Sequence, residues 1–324
     1  MGASGSSRSL KKLDNAFIKY KLKCNPGIAI LYHEKDGRII FGTEDGAIVV
    51  FTLDSNQKTL KEDCFLEQAH SECITCIAGL SGNRFVTGSM DFTIKVWLLK
   101  SKEILIQREI FSHENAVTRV VPIKERKMFA SCSIDSTIRI WKSENHYEQL
   151  ALKTVDKQAL MLDQLECNQH LISTHMNNEK DKNSFICIWK LEGEEKDLKI
   201  TEVKRIESEA DFQPLFVWNL PGERFGVSSI NSLIVFDVNN YKKLAHINDG
   251  NWSSAPSSLC VLDSQYIYVT CSGYLCQILL KDYSLSFREK LEQLHGESLI
   301  FLGKKGDLIL TTQKDYIYVM KCTY

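Results

Sequence analysis

Short runs of alternating apolar and polar residues, separated by turn-forming residues, follow one another along most of the chain. Within the segment 70–111 this pattern predicts four strands, over 73–79, 84–88, 93–98 and 103–111. Turn residues such as Ser81, Gly82 and Asn83 separate them. Few segments carry the periodicity of a helix, so the pattern predicts an all-β fold.

The pattern also repeats along the chain. Residues 85–97 read Phe-Val-Thr-Gly-Ser-Met-Asp-Phe-Thr-Ile-Lys-Val-Trp, and residues 129–141 read Phe-Ala-Ser-Cys-Ser-Ile-Asp-Ser-Thr-Ile-Arg-Ile-Trp. Trp97 and Trp141 are 44 positions apart, and Trp189 follows 48 positions later. Weaker copies end at Phe51, Phe236, Ile278 and Met320. A period near 45 residues with four strands per unit is typical of a β-propeller.

Residues 70–97 and 113–141 resemble WD40 repeats in their period, their strands and their His, Asp and Trp positions. The resemblance implies a seven-bladed β-propeller over residues 14–324, with four-stranded antiparallel blades. Residues 1–13 then form a flexible basic tail. The last unit lacks an outer strand. We expect the alternating run 16–22 to supply that strand and to close the ring, as in this family.

A histidine, a hydroxyl, an aspartate and a tryptophan recur in two units. They are His70, Thr87, Asp91 and Trp97, and then His113, Ser131, Asp135 and Trp141. A hydroxyl, a histidine and an acid also make up a catalytic triad. The resemblance implies instead a buried hydrogen-bond chain that joins strands to a loop, with every polar group paired. Since the set occurs twice, we interpret it as architecture, and we predict no catalytic residue and no enzyme.

The other units depart from this set. The seventh unit carries His295, Thr311 and Asp315, with Met320 in place of the tryptophan. Units four to six lack the histidine, so the limits of their strands are the least defined.

Composition narrows the choice of partners and compartment. The 324 residues are 44% hydrophobic and carry a formal net charge of -1, so no basic face indicates a nucleic-acid partner. Several of the 11 cysteines, for example Cys132 and Cys276, lie among β-branched residues, which is typical of buried thiols in a reducing compartment. No apolar run has the length of a membrane span or resembles a secretory signal. We therefore expect a cytoplasmic protein, or alternatively a nuclear one, with no signal for a homo-oligomer.

Two groups of residues have the composition of metal ligands. Cys73 and Cys76 have the C-x-x-C spacing, but residues three apart on a strand point to opposite faces. Cys167, His170 and His175 could supply three zinc ligands, and no fourth is near in sequence. The chain has neither a Gly-rich phosphate loop nor the paired arginines of phosphoinositide-binding propellers. We predict no metal and no cofactor.

The first residues fit a lipidation pattern. Met1-Gly2-Ala3-Ser4-Gly5-Ser6 has the spelling for N-myristoylation at Gly2, and Arg8, Lys11 and Lys12 follow. One acyl chain with a basic cluster gives weak membrane association. A membrane-tethered adaptor is therefore an alternative function, and a flexible Gly/Ser tail is the simpler interpretation.

In propellers of this family, the top face carries the loops between strands d and a and between strands b and c, where a to d are the strands of a unit in chain order. Rigid scaffolds often bind through such loops. Glu44, Met90 and Ile134 lie in b–c loops, and we expect them near the mouth of the central channel. Trp252 lies in a d–a loop, where it either anchors a partner or folds back over the blades.

We therefore predict a scaffold or adaptor that binds protein or peptide partners through its top face, as a subunit of a larger assembly. The remaining alternative is an enzyme, or a protein that binds phosphopeptides or small ligands.

Overall fold

The structure is a computed structural model. It describes residues 12–13, 18–21, 26–33, 37–54, 59–165, 170–176, 184–208, 212–248, 250, 252, 256, 258–261, 265–271, 274–290, 299–302, 308–313 and 316–323.

Short β-strands make up nearly all of the regular structure. The first two are β1 (Lys12–Leu13) and β2 (Ile18–Lys21). Blade 1 consists of β3 (Pro26–His33), β4 (Arg38–Thr43), β5 (Ile48–Asp54) and β6 (Thr59–Leu66). Blade 2 consists of β7 (Ile74–Gly79), β8 (Arg84–Ser89), β9 (Thr93–Leu99) and β10 (Ile104–Phe111). Blade 3 consists of β11 (Val117–Ile123), β12 (Met128–Ser133), β13 (Thr137–Lys142) and β14 (Gln149–Thr154).

The second half of the chain repeats the arrangement. Blade 4 consists of β15 (Gln158–Gln164), β16 (Leu171–Met176), β17 (Phe185–Glu192) and β18 (Lys199–Glu207). Blade 5 consists of β19 (Phe216–Leu220), β20 (Arg224–Ser229), β21 (Ser232–Asp237) and β22 (Lys243–Ile247). Blade 6 consists of β23 (Ser258–Val261), β24 (Tyr266–Cys271), β25 (Tyr274–Leu279) and β26 (Ser284–Lys290). The last strands are β27 (Leu299–Leu302), β28 (Leu308–Gln313) and β29 (Tyr316–Thr323).

In the part of the chain that the structure describes, helix is limited to two single turns of 3₁₀ type, Lys124–Arg126 and Asn145–Tyr147. No helix in this part is long and apolar enough to cross a bilayer. The prediction of an all-β propeller with four-stranded antiparallel sheets is confirmed. In blade 2, the observed strands agree with the four predicted ranges to within one residue at each end.

The blades surround an axis. Each first strand packs against a first strand of a neighbouring blade: β3 against β7, β7 against β11, β11 against β15, and β15 against β19. Near the ends of the inner strands of blades 3 to 6 there is a cavity of about 870 Å³, lined in part by Pro122, Asp163, Asn219 and Val261. Each of the apolar clusters of the core lies between two adjacent blades. A blade is therefore buried only through its neighbours, as in other repeat architectures.

The described residues form six four-stranded blades, whereas the sequence predicts seven. The remaining sheet, which we call the terminal sheet, has the order β1-β29-β28-β27, with β2 also paired to β29. Ile18 lies opposite Val319, and Lys21 lies opposite Tyr316, so the N-terminal run pairs where we expected it. The seven-blade count itself stays a prediction.

The end of the predicted N-terminal tail pairs with a strand. Lys12 and Leu13 pair with Thr323 and Cys322, although the sequence assigns them to the flexible segment 1–13. Pairing with β29 satisfies the backbone of this dipeptide, and the limits of the tail stay a prediction.

Each of the six blades has a β-bulge in its outer strand. The register shifts opposite the residue at which the sequence repeats align, namely Phe51, Trp97, Trp141, Trp189, Phe236 and Ile278. One extra residue of the outer strand is left unpaired at each of these points, which bends the strand and increases its twist.

Polar side chains connect adjacent blades. Three arginines that begin a second strand donate to a carbonyl just after the third strand of the next blade. The bonds are Arg38 Nη1 to Lys100 O at 2.7 Å, Arg84 Nη1 to Ser143 O at 2.9 Å and Arg224 Nη1 to Leu280 O at 2.7 Å. On the inner strands, Thr75 donates to Val117 O, and Thr118 Oγ1 donates to Ala159 O at 2.8 Å. These bonds connect blades 1 to 4 in succession, and blade 5 to blade 6.

Candidate functional site

The structure brings the first recurring set together in blade 2. Trp97 Nε1 lies 2.8 Å from Thr87 Oγ1, which lies 2.7 Å from His70 Nε2. His70 Nδ1 lies 2.9 Å from Asp91 Oδ2. Because the indole N–H can only donate, it sets the direction of every hydrogen bond in this series. The Thr87 hydroxyl accepts from Trp97 and donates to His70, and His70 donates to Asp91. The third strand, the second strand and the loop before the blade are thereby joined.

Blade 3 repeats this geometry. Trp141 Nε1 lies 2.9 Å from Ser131 Oγ, and His113 lies 2.8 Å from both Ser131 Oγ and Asp135 Oδ2. Asp135 also accepts from the backbone N–H of Glu114 at 3.0 Å. The side chains of both sets are buried, and their polar groups are satisfied by one another, which removes the cost of burying them.

Burial and hydrogen bonding shift the pKa values of both ionisable groups in the blade 2 hydrogen-bond chain. Burial would raise the pKa of Asp91, but hydrogen bonds from His70 and Thr93 outweigh it and hold that pKa below its usual range. Burial lowers the pKa of His70 and so favours the neutral imidazole, against the opposing influence of Asp91. Thr87 is fully buried and bonded on both sides, so its hydroxyl has no open path to a substrate. This geometry favours an architectural role over a triad.

Blade 4 contains a related chain that the sequence analysis missed. Trp189 Nε1 donates to Ser173 Oγ at 2.7 Å, and Ser173 Oγ lies 2.6 Å from His175 Nε2. The ring of His175 stacks on Phe185 with centroids 4.7 Å apart, and its Nδ1 lies 3.5 Å from the carbonyl oxygen of Lys157. Unit four does lack a histidine at the position of His70, as the sequence predicts, but a histidine from another position takes up the same role. Here the histidine comes from the second strand, two positions after the serine, and residues two apart on a strand share a face.

We expect His175 to make the stability of the protein depend on pH. Burial lowers the pKa of His175 to about 4, whereas an unfolded chain takes up this proton near its ordinary pKa of about 6.5. The unfolded state then binds more protons between these values. The free energy of unfolding should therefore fall as the pH falls from 6.5 to 4, by up to about 3 kcal/mol from this residue.

Urea unfolding at several pH values measures this dependence, and the comparison is with His175→Gln. The variant should show a shallower fall of stability on acidification, whereas His246→Gln, which replaces an exposed histidine of blade 5, should retain the parent slope. Equal slopes for all three proteins would contradict the assignment.

Other predicted site residues are placed as follows. His295, Asp315 and Cys167 lie outside the described residues, and only the backbone of Thr311 and Met320 is described.

The cysteines of the described residues show no metal site. Cys73 is partly buried, Cys76 is buried, and burial raises the pKa of both thiols. Cys132 and Cys276 are buried and form no disulfide, as the sequence predicts. In the described ranges, no three His, Cys, Asp or Glu side chains lie close enough to hold a metal ion.

The predicted partner-binding residues divide into two groups. Glu44 and Met90 are exposed and Ile134 is partly exposed, and the backbone N–H of Met90 bonds the carbonyl of Cys73 just before the inner strand. Trp252, in contrast, is 4% exposed and packs with Leu233 and other core residues between blades 5 and 6. Of the two alternatives, Trp252 therefore folds back over the blades. It does not belong to the binding surface, since its large apolar ring is more stable in the core.

Two exposed aromatic side chains on the top of blade 2 were missed. Phe111 ends the outer strand and is 76% exposed, and Phe92, in the b–c turn, is 45% exposed. Phe92 also has φ of +71°, in the left-handed region that bulky residues rarely adopt. The equivalent turn residue is Gly46 in blade 1 and Ser136 in blade 3. Aligning the units would therefore have singled out Phe92, because it is an aromatic residue at a turn position that favours small residues.

A groove of about 610 Å³ opens beside these residues, between blades 1 and 2. Phe111, Glu109 and Lys95 form one wall, and Asp45 and Gln68 belong to the other side. The buried His70, Asp91 and Thr93 form its floor. The hydrogen-bond chain of blade 2 thus supports the groove from below.

Comparison with known proteins finds one matching family model and several relatives of low identity. The family model for the WD domain, G-beta repeat, matches residues 62–97 and 106–142. The chain is similar to the ubiquitin homeostasis protein lub1 of Schizosaccharomyces pombe, at 30% identity over 26% of this chain and 11% of that protein. It is also similar to apoptotic protease-activating factor 1 of Rattus norvegicus, at 31% identity over 34% of this chain and 8% of that protein. A third relative is the methylosome protein WDR77 of Xenopus laevis, at 27% identity over 32% of this chain and 31% of that protein. The chain therefore spans less than a third of the length of each relative.

Proposed function

Since this chain is a WD40-repeat protein, we propose that it is a binding scaffold that holds a protein or peptide partner on its top face, at blade 2. The observation that carries the proposal is a set of exposed apolar side chains: Met90 and Phe92 lie in the b–c turn, and Phe111 pairs with Thr93 at the end of that turn. Exposed apolar side chains that lie together are typical of interaction sites.

The backbone of Phe92 supports this proposal. A bulky residue in the left-handed region costs the folded state on the order of 1 kcal/mol or more, and such strain concentrates at functional positions. Packing does not explain the residue, because its ring is exposed. A function at the surface does explain it.

We expect a variant with Met90→Ala, Phe92→Ser and Phe111→Ala to lose its partners. The matched control is Ile106→Ala, Leu152→Ala and Val203→Ala, which removes three apolar side chains from outer strands that are 42% to 50% exposed. Quantitative affinity purification from cells compares the two variants with the parent. Capture should fall at least about tenfold for the first variant, because apolar anchors dominate binding energy. Partners that persist on the first variant would place the binding surface elsewhere.

We infer that the terminal sheet is the seventh blade and that the N-terminal strands close the ring. The supporting contacts are those of β27 with β23 of blade 6 and with β3 of blade 1, so this sheet lies between the last and the first blade. An experimental structure with the terminal sheet outside the ring would contradict this inference.

The membrane-tethered adaptor stays a proposal, because Gly2 lies outside the described residues. Its support is the spelling of the first six residues and the basic residues that follow. If Gly2 is acylated in cells, the intact mass of the native protein should include a myristoyl group that Gly2→Ala lacks, and the variant should move from the membrane fraction to the soluble one. An unmodified mass would exclude this function. The cytoplasmic location of the untethered protein is likewise a proposal, which cell fractionation tests.

A further inference from the structure

The aspartate of the hydrogen-bond chain has a counterpart in blade 1 that stands alone. Asp45 occupies the same place in the b–c turn of blade 1 as Asp91 does in blade 2, one residue after Glu44 and Met90 respectively. Asp91 accepts four hydrogen bonds, from His70, Ser71 and both polar groups of Thr93. Its carboxylate therefore has little capacity left for a ligand.

Asp45 is different. It is exposed, and it makes no hydrogen bond or ion pair with the residues that the structure describes. The turn is held without it, because Thr43 Oγ1 accepts from the backbone N–H of Ala47 at 2.8 Å. The carboxylate of Asp45 is thus free to interact with a group from outside, and it lies in the groove between blades 1 and 2.

The charges of the groove are unequal. Lys95 is held by Glu109 at 2.9 Å and by the carbonyl of Ala69 at 2.9 Å, so its ammonium and the Glu109 carboxylate compensate each other. The two aspartates that remain, Asp45 and Asp91, leave the groove with a negative charge. Among the residues that line it, no further cation balances them.

An aromatic side chain lines the same groove as these aspartates. Phe111 lines the groove and is the most exposed of the large apolar side chains described. A guanidinium group is planar, stacks on aromatic rings and forms paired hydrogen bonds with a carboxylate, so it fits such a site better than an ammonium does.

We propose that the groove between blades 1 and 2 binds an arginine side chain of the partner, with Asp45 as the counter-ion and Phe111 as the stacking surface. This inference rests on the proposed function, since it names the chemistry of the side chain that a partner on the top of blade 2 places in this groove. The partner segment then combines an arginine with apolar residues that reach Met90 and Phe92.

The test is a titration of the full-length protein with N-acetyl-arginine amide, followed by backbone amide NMR shifts. Saturable shifts at Ser71 and Phe111 with a millimolar dissociation constant are expected. Asp45→Asn should weaken binding about fivefold, because one exposed ion pair is lost. Asp197→Asn, the same change at an exposed turn of blade 4, should leave binding unchanged.

Three results would overturn the proposal. They are equal shifts with N-acetyl-norleucine amide, equal binding of N-acetyl-lysine amide, and unchanged affinity in Asp45→Asn. Its failure is distinguishable from failure of the proposed function. If arginine amide does not bind but the triple variant at Met90, Phe92 and Phe111 still loses its partners, the binding surface on blade 2 is supported and the proposed arginine ligand is wrong. If arginine amide binds and the partners persist, the groove is a site and the proposed surface is wrong.

Discussion

Replacing Thr87 with valine should lower the free energy of unfolding by about 3 kcal/mol, although valine has nearly the same shape. The hydroxyl lies between Trp97 Nε1 at 2.8 Å and His70 Nε2 at 2.7 Å, and all three side chains are buried. Without it, the indole N–H has no acceptor and the imidazole nitrogen has no donor. Each unpaired polar atom then costs the desolvation energy that the hydrogen bond had offset.

Chemical denaturation of the purified chain measures this effect, and Thr87→Ser is the matched control. Serine keeps the hydroxyl and removes only a methyl group, so its cost should be about 1 kcal/mol. Ser131→Ala in blade 3 should behave like Thr87→Val, because Ser131 holds Trp141 and His113 in the same way. If Thr87→Val and Thr87→Ser were equally stable, the hydrogen-bond chain would contribute nothing beyond packing.

Replacing Gly46 with alanine should destabilise the protein by about 4 kcal/mol. Gly46 has φ of +77°, and an added Cβ would lie 2.3 Å from the backbone oxygen of His70 and 2.8 Å from that of Glu72. Backbone atoms cannot move aside as a flexible side chain does, so the loop that carries His70 must shift. That shift also weakens the contact of His70 with Thr87 and Asp91.

Gly82→Ala separates the two causes of this loss. Gly82 has φ of +71°, but nothing lies within 4 Å of an added Cβ. Its alanine variant should therefore show only the cost of the left-handed backbone, about 1 kcal/mol. If thermal or urea unfolding gave the same loss at both positions, the close approach of the His70 loop to Gly46 would have no energetic weight.

The sequence predicted those features that depend on local pattern. The strands of blade 2 and the two recurring sets follow from alternation and from a repeated spacing, and both are visible within residues 70–141. The N-terminal pairing with β29 was predicted because a unit without an outer strand must find one elsewhere.

The features that it missed depend on tertiary packing. Trp252 had two possible orientations, and the space between blades 5 and 6 decides between them. His175 was assigned to a candidate zinc group because it follows Cys167 and His170 in the chain, whereas the pleat turns it towards Ser173 and Phe185. Phe111 reads as the last apolar residue of a strand, and only the three-dimensional arrangement shows that nothing covers it.

The bulge in every outer strand of the six blades also affects how the protein behaves at high concentration. An outer strand presents unpaired N–H and C=O groups that can template pairing with a strand of another molecule. Exposed side chains such as Ile106, Val203 and Leu244 would add apolar contact to that pairing. A bulge interrupts the regular spacing of the donors and acceptors and twists the strand away from a straight partner. The same irregularity at each of the six units therefore protects the outer strands against edge-to-edge aggregation.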